Sequence, residues 1–332
     1  MNRSGKIILI VLAVLVLVGG VFFYLKNQGI SFSFLYKSVI DKNTTTQPVD
    51  GTQKTSELPV QKTEETVTDV KPELAIQYTT LTIATNPRKE ITDAVGKENV
   101  DMVLALNRIN MHKIQKGAVL TVPTSWDGVD MMALSPYPAY IDRIKDLSKF
   151  IFVSQRVEAF GLYENGKLVR WGPVSTGKKA TQTPSKLYFA NWKQKVTISN
   201  IDDTWIMPWN VNFANFDGMS LHQYELPGYA ASHSCVRLFE ADAMFIYDWV
   251  NQWTLTPNDQ IATYGTPVLI FGTYGYGQKP PWKHLPEDQS ATTITDSEIN
   301  EQLDLYLPDI QSKTLTESIE KPTTDIAGQT AN

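Results

Sequence analysis

The chain has 332 residues, enough for two to three structural units at roughly 150 residues each. With 42% hydrophobic residues it can build a packed core, which excludes a wholly disordered polymer. A net charge of -5, from 30 basic and 35 acidic residues, excludes the basic footprint of a nucleic-acid binder. A single cysteine and four histidines leave no room for a disulfide framework or a multi-cysteine metal site, and no cofactor or metal is expected.

In chain order, Arg3 and Lys6 precede an unbroken apolar run from Ile7 to Leu25, closed by Lys26. At about 1.5 Å per residue this run spans roughly 28 Å, close to the hydrocarbon thickness of a bilayer. It ends Val21-Phe22-Phe23-Tyr24-Leu25, with no small-x-small exit, so residues 1–26 are expected to be an uncleaved transmembrane anchor. Residues 27–72 are expected to be a flexible stalk. The segment 41–72 is rich in Thr, Lys, Gln, Glu and Pro, lacks aromatic residues and cannot bury enough apolar surface to order itself.

Residues 73–125 form a small unit. Leu81-Thr82-Ile83 alternates like a strand, and Asn99–Ile109 has helical spacing through Val100, Val103, Leu104 and Leu106. A turn and a strand follow over Ile114–Pro123. The strings Leu104–Ile109, Lys116-Gly117 and Leu120-Thr121-Val122-Pro123 resemble the second half of a LysM glycan-binding repeat; a docking unit without a ligand is the equal alternative.

From 148 to 273 the pattern is mostly strand: Phe150–Val153, Ala159–Tyr163, Leu168–Ser175, Lys186–Asn191, Val196–Ile198 and Pro267–Phe271. Glu164-Asn165-Gly166-Lys167 predicts a hairpin turn, its Asn-Gly pair supplying positive φ angles. One helix is expected over Glu240–Trp253, striped by Ala243, Ile246, Val250 and Trp253. After Trp282 the composition turns to Thr, Ser, Asp and Glu, so 283–332 is expected to be a flexible tail, with a short helix over Glu298–Leu307.

The chemistry concentrates around Ser232-His233-Ser234-Cys235-Val236-Arg237-Leu238, with His222 thirteen residues upstream of the cysteine. A lone cysteine is more often a small buried hydrophobe, but its polar and basic neighbours do not fit a core strand. A helix starting a few residues later is expected to favour the thiolate and to stabilise an oxyanion. A thiol beside two histidines is the minimum set for thiolate acyl transfer.

His222, Leu226-Pro227-Gly228 and Ala231-Ser232-His233-Ser234-Cys235-Val236-Arg237-Leu238 resemble the L,D-transpeptidase (YkuD-type) catalytic domain. Ser175-Thr176-Gly177 with Thr183-Pro184-Ser185, Met207-Pro208-Trp209 and Gly265-Thr266-Pro267-Val268 fall in that family's order. The resemblance implies a β-rich, mixed-sheet sandwich with one helix after the cysteine. It implies Cys235 as nucleophile, His222 as general base with its tautomer set by a backbone carbonyl near Gln223, and His233 lining the site. The Ser234 and Cys235 N–H groups would form the oxyanion hole. Arg237 would bind a substrate carboxylate or buttress the loop, Ser232 would support it, and Tyr229 and Trp209 are candidate walls of the peptide groove, with Trp205 and Tyr224 nearby. Ser234 and Ser185 stand where the family has glycine. A positive φ at Ser234 would cost roughly 1 kcal/mol.

The implied activity is that of an anchored, extracytoplasmic enzyme acting on peptidoglycan stem peptides, by transfer to an amine or to water. A non-catalytic wall-binding protein with a disabled site is the alternative.

Overall fold

In the strand Phe150–Ser154, Phe150 and Phe152 face one side and Ile151 and Val153 the other, and all four are fully buried. A strand buried on both faces must be covered twice, and the rest of the fold supplies the two covers. The computed structural model describes residues 75–199 and 202–314. They belong to the second of two units into which the chain divides, Val70–Asn332. The expected anchor (1–26), the stalk as far as residue 72, and the tail beyond 314 lie outside the described residues. Among the described residues no helix is long and apolar enough to cross a membrane.

The first described part is a β-α-α-β unit: β1 (Tyr78–Thr82), α1 (Pro87–Val95), α2 (Val100–Leu106) and β2 (Val119–Pro123), with β1 and β2 antiparallel. Its core is Ile83, Ile91, Val103, Leu120 and Val122. Helix α1 was not anticipated, although its start is written in the sequence. Asn86 accepts the Lys89 N–H, Pro87 occupies the first turn, and Glu90 accepts the N–H groups of Ala84, Thr85 and Asn86. At the end of α2 the Asn107 side chain donates to Val103 O and Thr121 O and accepts the Thr121 N–H, fastening the helix to β2.

The remaining strands are β3 (Phe150–Ser154), β4 (Ala159–Glu164), β5 (Lys167–Ser175), β6 (Lys186–Phe189), β7 (Lys193–Ile198), β8 (Ile206–Ala214), β9 (Met219–Gln223) and β10 (Val236–Leu238). Helix α3 (Glu240–Trp249), a short ribbon of β11 (Thr254–Leu255) with β12 (Ile261–Thr263), β13 (Pro267–Phe271) and α4 (Asp296–Thr314) complete the order. Nine strands form one mixed sheet in the order β6-β13-β3-β4-β5-β10-β9-β8-β7. Asn165 and Gly166 make the β4–β5 turn at φ 48° and 78°, as their sequence predicts.

The sheet curls on itself just after β6. Ala190 N–H still donates to Thr266 O beside β13, whereas Asn191 N–H donates to Asn212 O and Asn212 N–H to Trp192 O. Adjacent residues thus serve opposite ends of the sheet. Inside the curl lie Ile151, Val153, Phe160, Leu162, Val211, Phe213, Leu221 and Val236, closed by Ala243 and Ile246 of α3. Helix α3 ends at Trp249 rather than at the expected Trp253. The chain there is recruited by β6 and β13: Asn251 N–H donates to Thr266 Oγ1 and Trp253 N–H to Asn191 O.

The other face is covered by the segment expected to be a flexible tail, and this expectation is corrected for residues 283–314. Helix α4 runs over 19 residues and buries Ile299, Leu303 and Ile310 in one core cluster with Phe150, Phe152, Tyr163 and Leu269, with Leu307 partly buried. The spacing 299-303-307-310 is one stripe of a helix, and the polar composition belongs to its outer face. Arg156 anchors the start of α4, pairing with both oxygens of Glu298 and donating to Ala291 O and Thr293 O. Replacing Leu303 by Ala should cost about 3 kcal/mol and lower Tm by roughly 6–12 °C, measured by thermal unfolding. A Tm within 2 °C of the parent, given the coefficient of roughly 2–4 °C per kcal/mol, would mean that α4 does not cover the core.

Candidate active site

Strands β9 and β10 run parallel, with Val236 opposite Leu221 and Arg237 opposite His222. On its other side β10 is antiparallel to β5, with Arg237 opposite Ser175. Parallel neighbours cannot be joined by a tight turn. The crossover from Tyr224 to Cys235 therefore swings out over the sheet and returns with Cys235 at the start of β10.

That return loop is laced to the turn 176–183. Ser232 N–H donates to Thr176 O and Lys178 N–H to Ser232 O, both at 2.9 Å. Thr181 Oγ1 donates to Ser232 O. Thr183 Oγ1 accepts the Gly177 N–H and donates to Ser234 O, each at 2.9 Å. The Ser232 hydroxyl donates to Cys235 O at 2.5 Å. Gly177 is required here because a Cβ on it would lie 2.1 Å from Thr181 O. Ser234 holds φ at 75°, so the serine does sit in the left-handed region. Its hydroxyl donates to Thr181 O at 3.2 Å, offsetting part of the cost of about 1 kcal/mol.

Cys235 and His222 open into one cleft of about 450 Å³, whose wall also includes His233, Arg237, Ser232 and Ser220. The Cys235 Sγ–H points at Gly218 O, 3.9 Å away, in the β8–β9 turn. His222 is buried, and its Nδ1–H donates to Gln223 O at 2.9 Å, which leaves Nε2 unprotonated in the neutral ring. His233 is exposed, its ring packed on Trp205 with centroids 4.7 Å apart. The Arg237 guanidinium lies 4.5 Å from the Tyr224 ring centroid and donates to Glu225 O at 3.4 Å.

Two expected groove residues lie elsewhere. Trp209, at φ 55°, turns away from the cleft and packs edge-on against Tyr247 of α3, with the Lys195 ammonium 5.8 Å from its ring centroid. Tyr229 is half-exposed on the crossover outside the cleft wall, and its carbonyl accepts the Ser175 hydroxyl at 2.7 Å. The walls come instead from Trp205, Tyr224, Trp192, Met207, Phe216 and Asp217. The last two sit on the turn Asn215-Phe216-Asp217-Gly218, whose Asp-Gly pair signals a hairpin in the sequence.

The expected helix-dipole effect on the thiol is corrected by the structure. Helix α3 begins at Glu240, beyond the three-residue strand β10, so at about 3.3 Å per residue its N-terminus is more than 10 Å from Cys235. A dipole effect fades within the first turn. Burial dominates: it pushes the Cys235 thiol up, against the smaller pull of the Ser220 backbone and the Arg237 charge. Burial likewise holds the His222 imidazole down at about 4, helped by the Arg237 charge and opposed by the bond to Gln223. Burial thus favours the neutral thiol and the neutral imidazole.

The curled mixed sheet thus brings one thiol and one tautomer-fixed imidazole into an open cleft, a pair whose chemistry can support thiolate acyl transfer. Residues 148–270 match the family model described as the L,D-transpeptidase catalytic domain (YkuD). Among solved structures, an L,D-transpeptidase from Stackebrandtia nassauensis is 23% identical, covering 39% of this chain and 57% of that one, with a TM-score of 0.32. One from Mycobacterium smegmatis is 18% identical, with coverages of 38% and 59% and a TM-score of 0.31. L,D-transpeptidase 1 of Mycobacterium tuberculosis is 19% identical, with coverages of 38% and 62% and a TM-score of 0.30. This chain thus spans about three-fifths of the length of these proteins. Comparison with curated proteins gives no match.

Two measurements follow from this geometry. Ser234→Gly gains about 1 kcal/mol of backbone strain relief and loses a hydrogen bond of about 1 kcal/mol, so its stability in urea should stay within about 1 kcal/mol of the parent. Ser234→Ala keeps the strain and loses the bond, and should be less stable by about 1 kcal/mol; equal stability of Ala and Ser would show the hydroxyl idle. Separately, alkylation of Cys235 by iodoacetamide should rise steadily with pH, with a midpoint above the ordinary thiol value of about 8.5. A plateau of reactivity through neutral pH would instead reveal a thiolate–imidazolium pair.

Proposed function

We propose that the protein is a membrane-anchored peptidoglycan L,D-transpeptidase whose nucleophile is Cys235. The observation that carries this reading is the shared cleft of Cys235 and His222 within a domain of the L,D-transpeptidase catalytic family. The anchor at 1–26 and the stalk at 27–72 would place the domain outside the cytoplasmic membrane, beside its polymer. No ATP is present there, so a cross-link must conserve the energy of an existing peptide bond, and a thioester does so.

Substrate binding brings the carbonyl at the L-centre of residue three of a donor stem peptide to Cys235. His222 Nε2 takes the thiol proton as the sulfur attacks, which a neutral imidazole can do. The developing oxyanion is held by the Ser234 and Cys235 N–H groups, kept in place by the lacing of Ser232 and Ser234 to the turn 176–183. Collapse breaks the bond to the terminal D-residue, whose amine receives the proton from His222, leaving the thioester. An acceptor amine, giving its proton to His222, then attacks the thioester and releases the thiol. An amine on diaminopimelate gives a 3→3 link, and water gives a shortened peptide. Arg237 would attract a substrate carboxylate or, through its contacts with Glu225 O and the Tyr224 ring, buttress the crossover, and Trp205, Tyr224 and His233 would wall the peptide.

The unit at 73–125 resembles part of a LysM repeat, yet its loop is engaged with the catalytic crossover. Asn110 N–H donates to Leu226 O, Asn110 Oδ1 accepts the Leu226 N–H, and His112 and Lys113 contact the Glu225 carboxylate. These contacts favour a docking role.

The test incubates the full chain, in detergent, with disaccharide-tetrapeptides and reads the products by mass spectrometry. A cross-linked dimer is expected from the parent and none from Cys235→Ala. Shortened peptide without dimer would make the protein an L,D-carboxypeptidase. Unchanged substrate, with no carbapenem adduct on Cys235, would leave a wall-binding protein.

A further inference from the structure

Arg108 follows α2 of the β-α-α-β unit and enters the curled-sheet domain, where it is 1% exposed. Its Nε donates to Val157 O at 3.1 Å, and its Nη1 donates to Leu106 O at 2.5 Å and Ala105 O at 3.4 Å. The guanidinium lies 4.9 Å from the Trp282 ring centroid and 5.9 Å from that of Trp171. The residue after Val157 is Glu158, fully buried, whose carboxyl feels the Arg108 charge. Glu158 Oε2 accepts the Thr176 N–H at 2.7 Å, and Oε1 bonds the Thr176 hydroxyl at 2.5 Å. Both residues hold left-handed backbone, at φ 54° for Arg108 and 46° for Glu158.

Two ionisable side chains buried in strained backbone are a poor way to gain stability, because apolar residues of the same volume serve a core as well or better. What this pair does is fix a position. Thr176, gripped by Glu158, accepts the Ser232 N–H through its carbonyl at 2.9 Å. The next residue, Gly177, donates to Thr183 Oγ1, which donates in turn to Ser234 O. Tyr276 adds a second hold, its hydroxyl donating to Gly177 O at 2.6 Å. One contiguous set of bonds therefore runs from the β-α-α-β unit to both ends of the segment Ser232–Ser234 just before the nucleophile.

We propose that Arg108 and Glu158 are positioning residues through which the β-α-α-β unit sets the turn 176–183 and thereby aims the Ser234 and Cys235 N–H groups at the oxyanion. The unit is then a working part of the catalytic domain. This rests on the transpeptidase reading and goes beyond it by giving the unit a role in the acylation step.

The experiment compares two reactions of Cys235 in the full chain at one pH. Acylation by imipenem passes through a tetrahedral oxyanion, whereas alkylation by iodoacetamide is a displacement at saturated carbon and needs no oxyanion donors. Glu158→Ala and Arg108→Met should slow acylation roughly ten-fold or more while leaving alkylation within about two-fold. Glu158→Gln, which keeps an acceptor for the Thr176 N–H, should restore acylation to within about three-fold of the parent. Thr176→Val, of near-equal volume, supplies the same comparison if either of the first two variants fails to fold. Acylation and alkylation falling together, or neither changing, overturns the proposal. A parent chain that imipenem does not acylate overturns the transpeptidase reading and this proposal with it.

Discussion

The parallel pairing of β9 with β10 is the constraint on which the site depends. It fixes His222 opposite Arg237 and, because parallel neighbours need a crossover, forces a loop of twelve residues between His222 and Cys235. Everything that makes the site specific is attached to that loop. Its first part touches the β-α-α-β unit through Glu225 and Leu226, and its last part is stitched to the turn 176–183. A loop so held can keep Ser234 in left-handed backbone, because neighbouring bonds over-determine a conformation that serine alone would avoid.

Burial governs the electrostatics of the pair. The parallel register brings Cys235 beside Ser220 and under Gly218 O, and it brings His222 into the sheet interior. Both places favour the uncharged forms, and the N-terminus of α3 is too far along the chain to compete. A neutral His222 ring whose Nδ1–H is held by Gln223 O keeps Nε2 as an acceptor.

The two covers of the sheet have different origins. Helix α3 follows β10 directly and caps the inside of the curl. Helix α4 comes from the far end of the chain, yet its stripe packs against the same Phe150 and Phe152 that begin the domain. Between β13 and α4 the chain buries Trp282, whose ring meets Arg108 and whose carbonyl accepts the Thr121 hydroxyl. The C-terminal segment thus ties the β-α-α-β unit to the sheet through Trp282.

Local signals in the sequence were sufficient for the hairpin at Asn165-Gly166, the strand alternation of β3 to β5 and the motif holding His222, Ser232, His233, Cys235 and Arg237. These depend on turn chemistry and on residue types at short spacing, which are written locally. The positive φ at Ser234 was legible as a condition, and the structure meets it. Helix α1 and the Asp217-Gly218 turn carried signals that went unused. Other features had no local signature. Trp209 packs on Tyr247 of α3, a partner about forty positions away in sequence. The order of 283–314 depended on a hydrophobic stripe finding Phe150, some 150 positions away in sequence. The role of Arg108 needed a buried carboxyl fifty residues later. The sequence by itself determined the chemical groups and the turns that present them; the tertiary structure alone decided which groups are buried, and burial, being a property of the whole packed interior, sets both their charge and their direction.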